Sequence, residues 1–241
     1  MRIPLGKLDP RRRSQKFQRS LRNSSYSLAD YLPVSYTHLD VYKRQAMVSS
    51  VFQAAARNLA SAAGDSYIAE ICRAIDLLWS CFAAGGKLLV FGNGGSSADA
   101  QHICGELVGR FMHEREALPA IALSANQAVL TAWSNDYSFE TVFSRQIEAL
   151  GRPGDVAWGV STSGNSPNVV QALKVARERG LATVGLTGQG GGRMSQWCDV
   201  LMAAPRLETP RIQEVHLVTY HAICAGVELR LFPEKPQHIS E

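Results

Sequence analysis

The chain has 241 residues, 46% of them hydrophobic, and a formal net charge of +4. It is long enough for one sizeable core with an appendage, and its lack of any run of eighteen apolar residues excludes a transmembrane helix. The basic N-terminus has neither an apolar stretch nor a small-residue cleavage site, so no secretory signal is expected.

The charge is uneven along the chain. Residues 1–46 hold ten Lys/Arg against three acids, a surplus of seven, which leaves the remainder at −3. This segment carries Pro, Ser and Arg without periodicity and is predicted to be a disordered basic extension. Its stretch from Ser35 to Gln45 also resembles translated adaptor sequence, in which case the native start is Met47 and residues 47–241 are the folded domain. The five cysteines (Cys72, Cys81, Cys104, Cys198 and Cys224) form no Cys-x-x-Cys pair. They read as small buried residues in a reducing cytoplasm.

From Met47 on, helices are expected at 48–63 and 66–84, the second stopped by Gly85-Gly86. Strands are expected at 87–91, 119–123, 155–160, 182–187 and 199–203. Helices at 97–112, 139–149 and 167–179, with shorter ones near 126–133 and 192–197, alternate with them, and a long run at 211–231 closes the chain. Short continuous apolar strands alternating with helices predict an α/β fold, a parallel sheet covered on both faces. Ligands in such sheets sit beyond the carboxyl ends of the strands.

Two loops lie there. The first, Gly92-Asn93-Gly94-Gly95-Ser96-Ser97, has glycines that permit positive φ and close backbone approach. Ser96 with Asp99 has the form of a capping box. The second, Ser161-Thr162-Ser163-Gly164-Asn165-Ser166, precedes Pro167, so Ser166 fits an N-cap and Pro167 the first helical position. Hydroxyls and free N–H groups at a helix start suit a phosphate monoester, although Ser and Gly also suit ordinary turns. Two such units predict one phosphorylated ligand held between them.

The helix after the first loop carries His102, Glu106 and Arg110 at four-residue spacing on one face. A His and a carboxylate so placed can share a divalent metal or act as base and electrophile; the trio also reads as a solvated polar stripe. Gln213 and His221 lie eight residues apart on the last helix, where a lone histidine equally reads as a core residue. Asn135-Asp136 reads on local grounds as an Asx turn.

Together these residues resemble the bacterial phosphoheptose isomerases of the sugar-isomerase (SIS) fold. The resemblance rests on Phe91-Gly92-Asn93-Gly94-Gly95-Ser96, Asp99, His102, Glu106, Arg110, Asn135-Asp136, the Ser161–Ser166 loop, Leu186-Thr187-Gly188 and the run Arg211–His216. It implies a five-stranded, flavodoxin-like parallel domain and a homotetramer with sites built from more than one subunit. It implies conversion of sedoheptulose 7-phosphate to D-glycero-D-manno-heptose 7-phosphate through an enediol, toward activated heptose for cell-surface glycans. Carried over residue by residue, Ser161, Thr162, Ser163 and Ser166 hold the phosphate, with Asn93, Gly94, Gly95 and Ser96 completing the pocket. Asn135, Asp136, Glu106 and Gln213 contact substrate. His102, Glu106, Gln213 and His221 match the ligands of one zinc per subunit, and Glu106 with His221 match the acid/base pair. Thr209-Pro210 stands where some members carry an acid, so that acid's role does not transfer.

Two other classes share the fold. One is a non-catalytic tetramer that binds the replication initiator and lacks counterparts of Glu106 and His221; the ending Leu231-Phe232-Pro233 resembles that group. The other is a sensor fused to a helix-turn-helix, which residues 1–46 do not resemble. Neither membrane nor nucleic acid is the expected partner.

Overall fold

A computed structural model of the chain describes residues 41–233. Contacts divide the chain into Met1–Phe52 and Gln53–Glu241. In the first unit the described residues, 41–52, are the opening of helix α1 (Val41–Ala62). The extension predicted over 1–46 lies outside the described residues except for 41–46, and those six are helical rather than disordered. Lys43, Arg44, Gln45 and Ala46 are good helix formers and run into Met47 without a breaker.

In the second unit, α2 (Asp65–Ala83) precedes β1 (Leu88–Gly92) and α3 (Gly95–Val108). Then come β2 (Ala120–Ala122), α4 (Gln127–Asp136), a 3-10 turn at Phe139–Thr141 and α5 (Val142–Leu150). They are followed by β3 (Val156–Ser161), α6 (Pro167–Glu178), β4 (Ala182–Thr187) and a second 3-10 turn at Gly192–Trp197. Strand β5 (Val200–Ala203) and helix α7 (Thr209–Leu231) complete it.

The five strands are parallel in the order β2-β1-β3-β4-β5. Strand residues alternate between two cores, as a period of two requires. Leu88, Val90, Trp158 and Val160 face Leu78 of α2, Ile103 of α3 and Ile223 of α7. Leu89, Phe91 and Ala157 face Phe143 of α5 and Leu173 of α6. Helices therefore cover both faces, as the sequence predicts. At the opposite end of the sheet Asp155 accepts from the Lys87 backbone N–H (2.9 Å), the Lys87 side chain (2.5 Å) and the Arg152 N–H (2.8 Å). Burial pushes the Asp155 carboxyl up, but these partners outweigh it and hold it below the usual range.

The order matters for function. Helix α3 leaves β1 toward one face, and α6 leaves the neighbouring β3 toward the other. The crevice between the two strand ends is the topological switch point, where ligands of open α/β sheets bind. Both loops singled out in the sequence end there. Among the described residues, no helix is long and apolar enough to cross a membrane.

Some expected boundaries move. Helix α3 stops at Val108, so Arg110 lies beyond it and pairs with exposed Glu114 (2.8 Å) instead of sharing a face with His102 and Glu106. Helix α4 runs to Asp136, so Asn135 and Asp136 are its last residues rather than a separate turn. Cys81, Cys104 and Cys224 are buried as expected, but Cys72 is exposed.

Candidate active site

The first loop is built on close approach. A Cβ on Gly92 would stand 2.8 Å from the Val160 carbonyl oxygen and from Ser96 Cβ, so only glycine lets β1 turn beside β3. Gly94 takes φ +55 and caps α3, which starts at Gly95. Ser96 and Asp99 are thus both inside the helix, and the expected capping box is not formed. The Asn93 side chain exchanges two hydrogen bonds with Asn168 of α6, at 2.8 and 2.9 Å. Asn93 therefore ties one loop to the other. Asn168 was not foreseen; its signal is a poor helix former in the first turn of an amphipathic helix, on its buried side.

The second loop is held from behind by the segment after β4. Gly164, at φ +65, packs so tightly that a Cβ there would overlap the Gly191 carbonyl. Gly188 N–H donates to the Thr162 carbonyl (3.0 Å), Met194 N–H to the Gly164 carbonyl (2.9 Å) and Arg193 N–H to Asn165 Oδ1 (2.9 Å). Ser166 occupies the N-cap and Pro167 the first turn of α6, as predicted. The Ser166 hydroxyl does not cap, however; it pairs with Ser161 Oγ at 3.1 Å. Thr162 is half-buried and Ser163 exposed, so the loop offers hydroxyls at the positive end of α6.

Helices α3 and α7 run side by side in the same direction. Near their starts the Gln213 amide rests on Gly95, where an added Cβ would lie 2.5 Å from Nε2. Two turns on, His102 Nε2 lies 2.8 Å from Glu106 Oε1 and 3.5 Å from His221 Nε2. The Tyr220 hydroxyl bonds His102 Nδ1 at 3.0 Å and fixes that ring's orientation. Phe111, from the segment after α3, packs its ring against His221, with centroids 5.4 Å apart. Burial lowers the His221 pKa, and neighbouring His102 lowers it further while Glu106 opposes them. Burial also raises Tyr220 and Asp99, which face each other beneath the cluster.

One ligand atom from each of His102, Glu106 and His221 lies within 4.8 Å of the others, and two histidines with a glutamate are the donors of catalytic zinc sites. The set fits a divalent metal. Gln213 stands about 12 Å of helical rise before His221, with its amide beside Gly95. Asn135 and Asp136 are exposed and bonded to each other (2.8 Å). The histidine that stays in the core is His216, fully buried against the Thr187 carbonyl (3.1 Å) and lowered by burial to about 4.

Comparison with known proteins agrees with this geometry. Residues 51–188 match the family profile described as SIS domain. The phosphoheptose isomerase of Synechocystis sp. is 54% identical over 179 residues, 74% of this chain and 92% of that protein. That of Burkholderia pseudomallei is 46% identical over 186 residues, 77% and 94% of the two chains. The solved phosphoheptose isomerase of Neisseria gonorrhoeae superposes with a TM-score of 0.71 at 42% identity, covering 76% of this chain and 98% of that one. That of Francisella tularensis gives 0.73 at 33% identity, with 76% and 97% covered. The chain belongs to the SIS domain family and, within it, to the phosphoheptose isomerases.

Proposed function

We propose that the protein interconverts sedoheptulose 7-phosphate and D-glycero-D-manno-heptose 7-phosphate, an aldose–ketose isomerisation through an enediol. The observation that carries this reading is the His102–Glu106–His221 cluster, within 4.8 Å, built from the helix that opens from the Gly-rich loop and from α7 beside it. The Ser161–Ser166 loop binds the phosphate through its hydroxyls and the N-terminus of α6. Gly94, Gly95 and Ser96 line the sugar at the start of α3, with Gln213 beside Gly95. We assign Gln213 to substrate at this position.

Glu106 removes the proton from C1 of the ketose and returns it to C2. His221, whose pKa burial and His102 lower, gives a proton to the C2 oxygen and receives one from the C1 hydroxyl. His102, Glu106 and His221 would hold zinc, which would supply Lewis-acid charge beside the reacting oxygens. Tyr220 keeps His102 oriented for that task.

We further propose a homotetramer whose sites are completed by neighbouring subunits. Supporting it, α4 has no buried residue although it carries Val129, Leu130 and Trp133, and Tyr137 and Phe139 beyond it are exposed. Asn135 and Asp136 lie at the exposed end of this helix, from which they reach a neighbour's substrate. Five free cysteines support a cytoplasmic location, and the product feeds activated-heptose and glycan synthesis. Assay of the purified protein on sedoheptulose 7-phosphate, with and without zinc, tests the reading; no turnover in either would favour the non-catalytic initiator-binding alternative.

A further inference from the structure

Arg115 lies in the irregular segment between α3 and β2, yet its side chain and that of Glu228 on α7 are each 1% exposed and form an ion pair at 2.8 Å. All three guanidinium nitrogens donate, Nε to Glu228. Nη2 donates to the Glu106 carbonyl (2.7 Å), and Nη1 to the carbonyls of Leu107 (2.8 Å), Glu116 (2.9 Å) and Gly109 (3.3 Å). These include carbonyls that a helix C-terminus leaves without intrahelical partners, so Arg115 caps α3 with a cation at its negative end. Glu228 in turn accepts the backbone N–H groups of Phe111 (3.1 Å), Met112 (2.8 Å) and His113 (3.1 Å). Burial would raise its carboxyl, but these N–H groups and Arg115 outweigh burial and hold it below the usual range. The Phe232 ring covers the guanidinium at 5.9 Å, which gives the Leu231-Phe232-Pro233 ending a packing role.

The network touches both members of the acid/base pair. It grips Glu106 by its own carbonyl, and it fixes the segment that lays Phe111 on His221. Glu228 also sits seven residues beyond His221 on the same helix. We infer that Arg115 and Glu228 are positioning residues for the isomerisation, setting the spacing of Glu106 and His221 by locking the end of α3 to α7. The inference rests on the isomerase reading above. A pair present only for stability would leave the chemistry of the folded protein unchanged.

The test is Arg115→Lys, which keeps a cation beside Glu228 but loses the planar fork that reaches Glu106 and Leu107. A partner variant, Phe111→Ala, leaves the ion pair intact and so remains informative where Arg115→Lys fails to fold. In protein shown by circular dichroism to be folded at the assay temperature, kcat is expected to fall about 10–100-fold, since small misplacements of catalytic groups have effects of this size. KM and inorganic phosphate affinity should stay within about twofold, because the phosphate loop lies outside the network. Zinc affinity, read by chelator competition, should fall about tenfold or more as the three ligands lose their spacing. Folded variants with wild-type kcat and wild-type zinc affinity would overturn the inference. Wild-type protein that binds zinc without turning over the substrate would defeat the isomerase reading instead, and the zinc comparison would still decide the positioning role.

Discussion

Asn168→Ala tests whether the two ligand loops are held by one another. The side chain is 2% exposed and exchanges two hydrogen bonds with Asn93, at 2.8 and 2.9 Å. A neutral hydrogen bond contributes on the order of 1 kcal/mol net, so the pair stabilises the fold by about 2 kcal/mol. Asn93 is only half-buried, so its amide can turn to water once the partner is gone, and no stranded polar group adds to the loss. In a domain of this size 1 kcal/mol moves Tm by roughly 2–4 °C, so the melting point should fall by about 4–8 °C. The loop ends would also lose their fixed separation. KM for the sugar phosphate should rise more than kcat falls, because the His102 cluster lies on α3 and α7, away from the amide pair. Asn93→Ala should cost more than Asn168→Ala, because it strands the buried Asn168 amide, and the double variant should be no worse than Asn93→Ala alone, a coupling of about 1–2 kcal/mol. Thermal melts and steady-state kinetics on the four proteins measure this. Additive losses would refute the clamp, and so would an Asn93→Ala protein that loses substrate affinity while Asn168→Ala keeps it. The second result would mean that the Asn93 amide serves the substrate directly.

Glu106→Gln should lower turnover by about 10²–10⁴-fold, the usual contribution of a positioned general base, with phosphate affinity retained in direct binding. His221→Gln should behave alike, and both variants should hold less zinc by metal analysis. Ser166→Ala should weaken phosphate binding, and its stability loss should be that of the bond to Ser161, about 0.5–1.5 kcal/mol by thermal melt, since the hydroxyl does not cap α6. His216 gives a pH signature: its folded pKa of about 4 lies below the unfolded 6.5, so the unfolded chain binds more protons between these values. Stability should therefore fall by about 3 kcal/mol as pH drops from 6.5 to 4, and His216→Gln should flatten that slope in denaturant titrations. An unchanged slope would assign the acid sensitivity elsewhere.

What the sequence made legible was what local pattern controls. The strands read cleanly because both faces are buried and the runs are continuously apolar, as in Leu88–Gly92 and Val156–Ser161. The glycine of the first loop read correctly because the close approach at Gly92 admits no Cβ. Boundaries and partners set by distant residues did not read. Helix α3 ends at Val108 because Arg115 takes its last carbonyls and Glu228, more than a hundred residues on, draws away the following N–H groups. The pairing of Asn93 with Asn168 did not read because the partner stands 75 residues later. Ser166 looked like a capping side chain, but its hydroxyl had a competing partner in Ser161 across the loop. His102, Glu106 and His221 were legible as candidates by spacing, yet their meeting depends on the parallel packing of α3 and α7, which no local signal encodes.

The most direct measurement is solvent hydrogen exchange during the reaction. The purified protein, loaded with zinc, is incubated with sedoheptulose 7-phosphate in deuterium oxide and followed by proton NMR. A proton shuttle at Glu106 and His221 predicts an aldose 7-phosphate carrying solvent deuterium at C2 and gradual deuteration of the remaining ketose at C1. Glu106→Gln should suppress both to near background. Neither aldose formation nor exchange in the zinc-loaded wild-type protein would contradict the isomerase account.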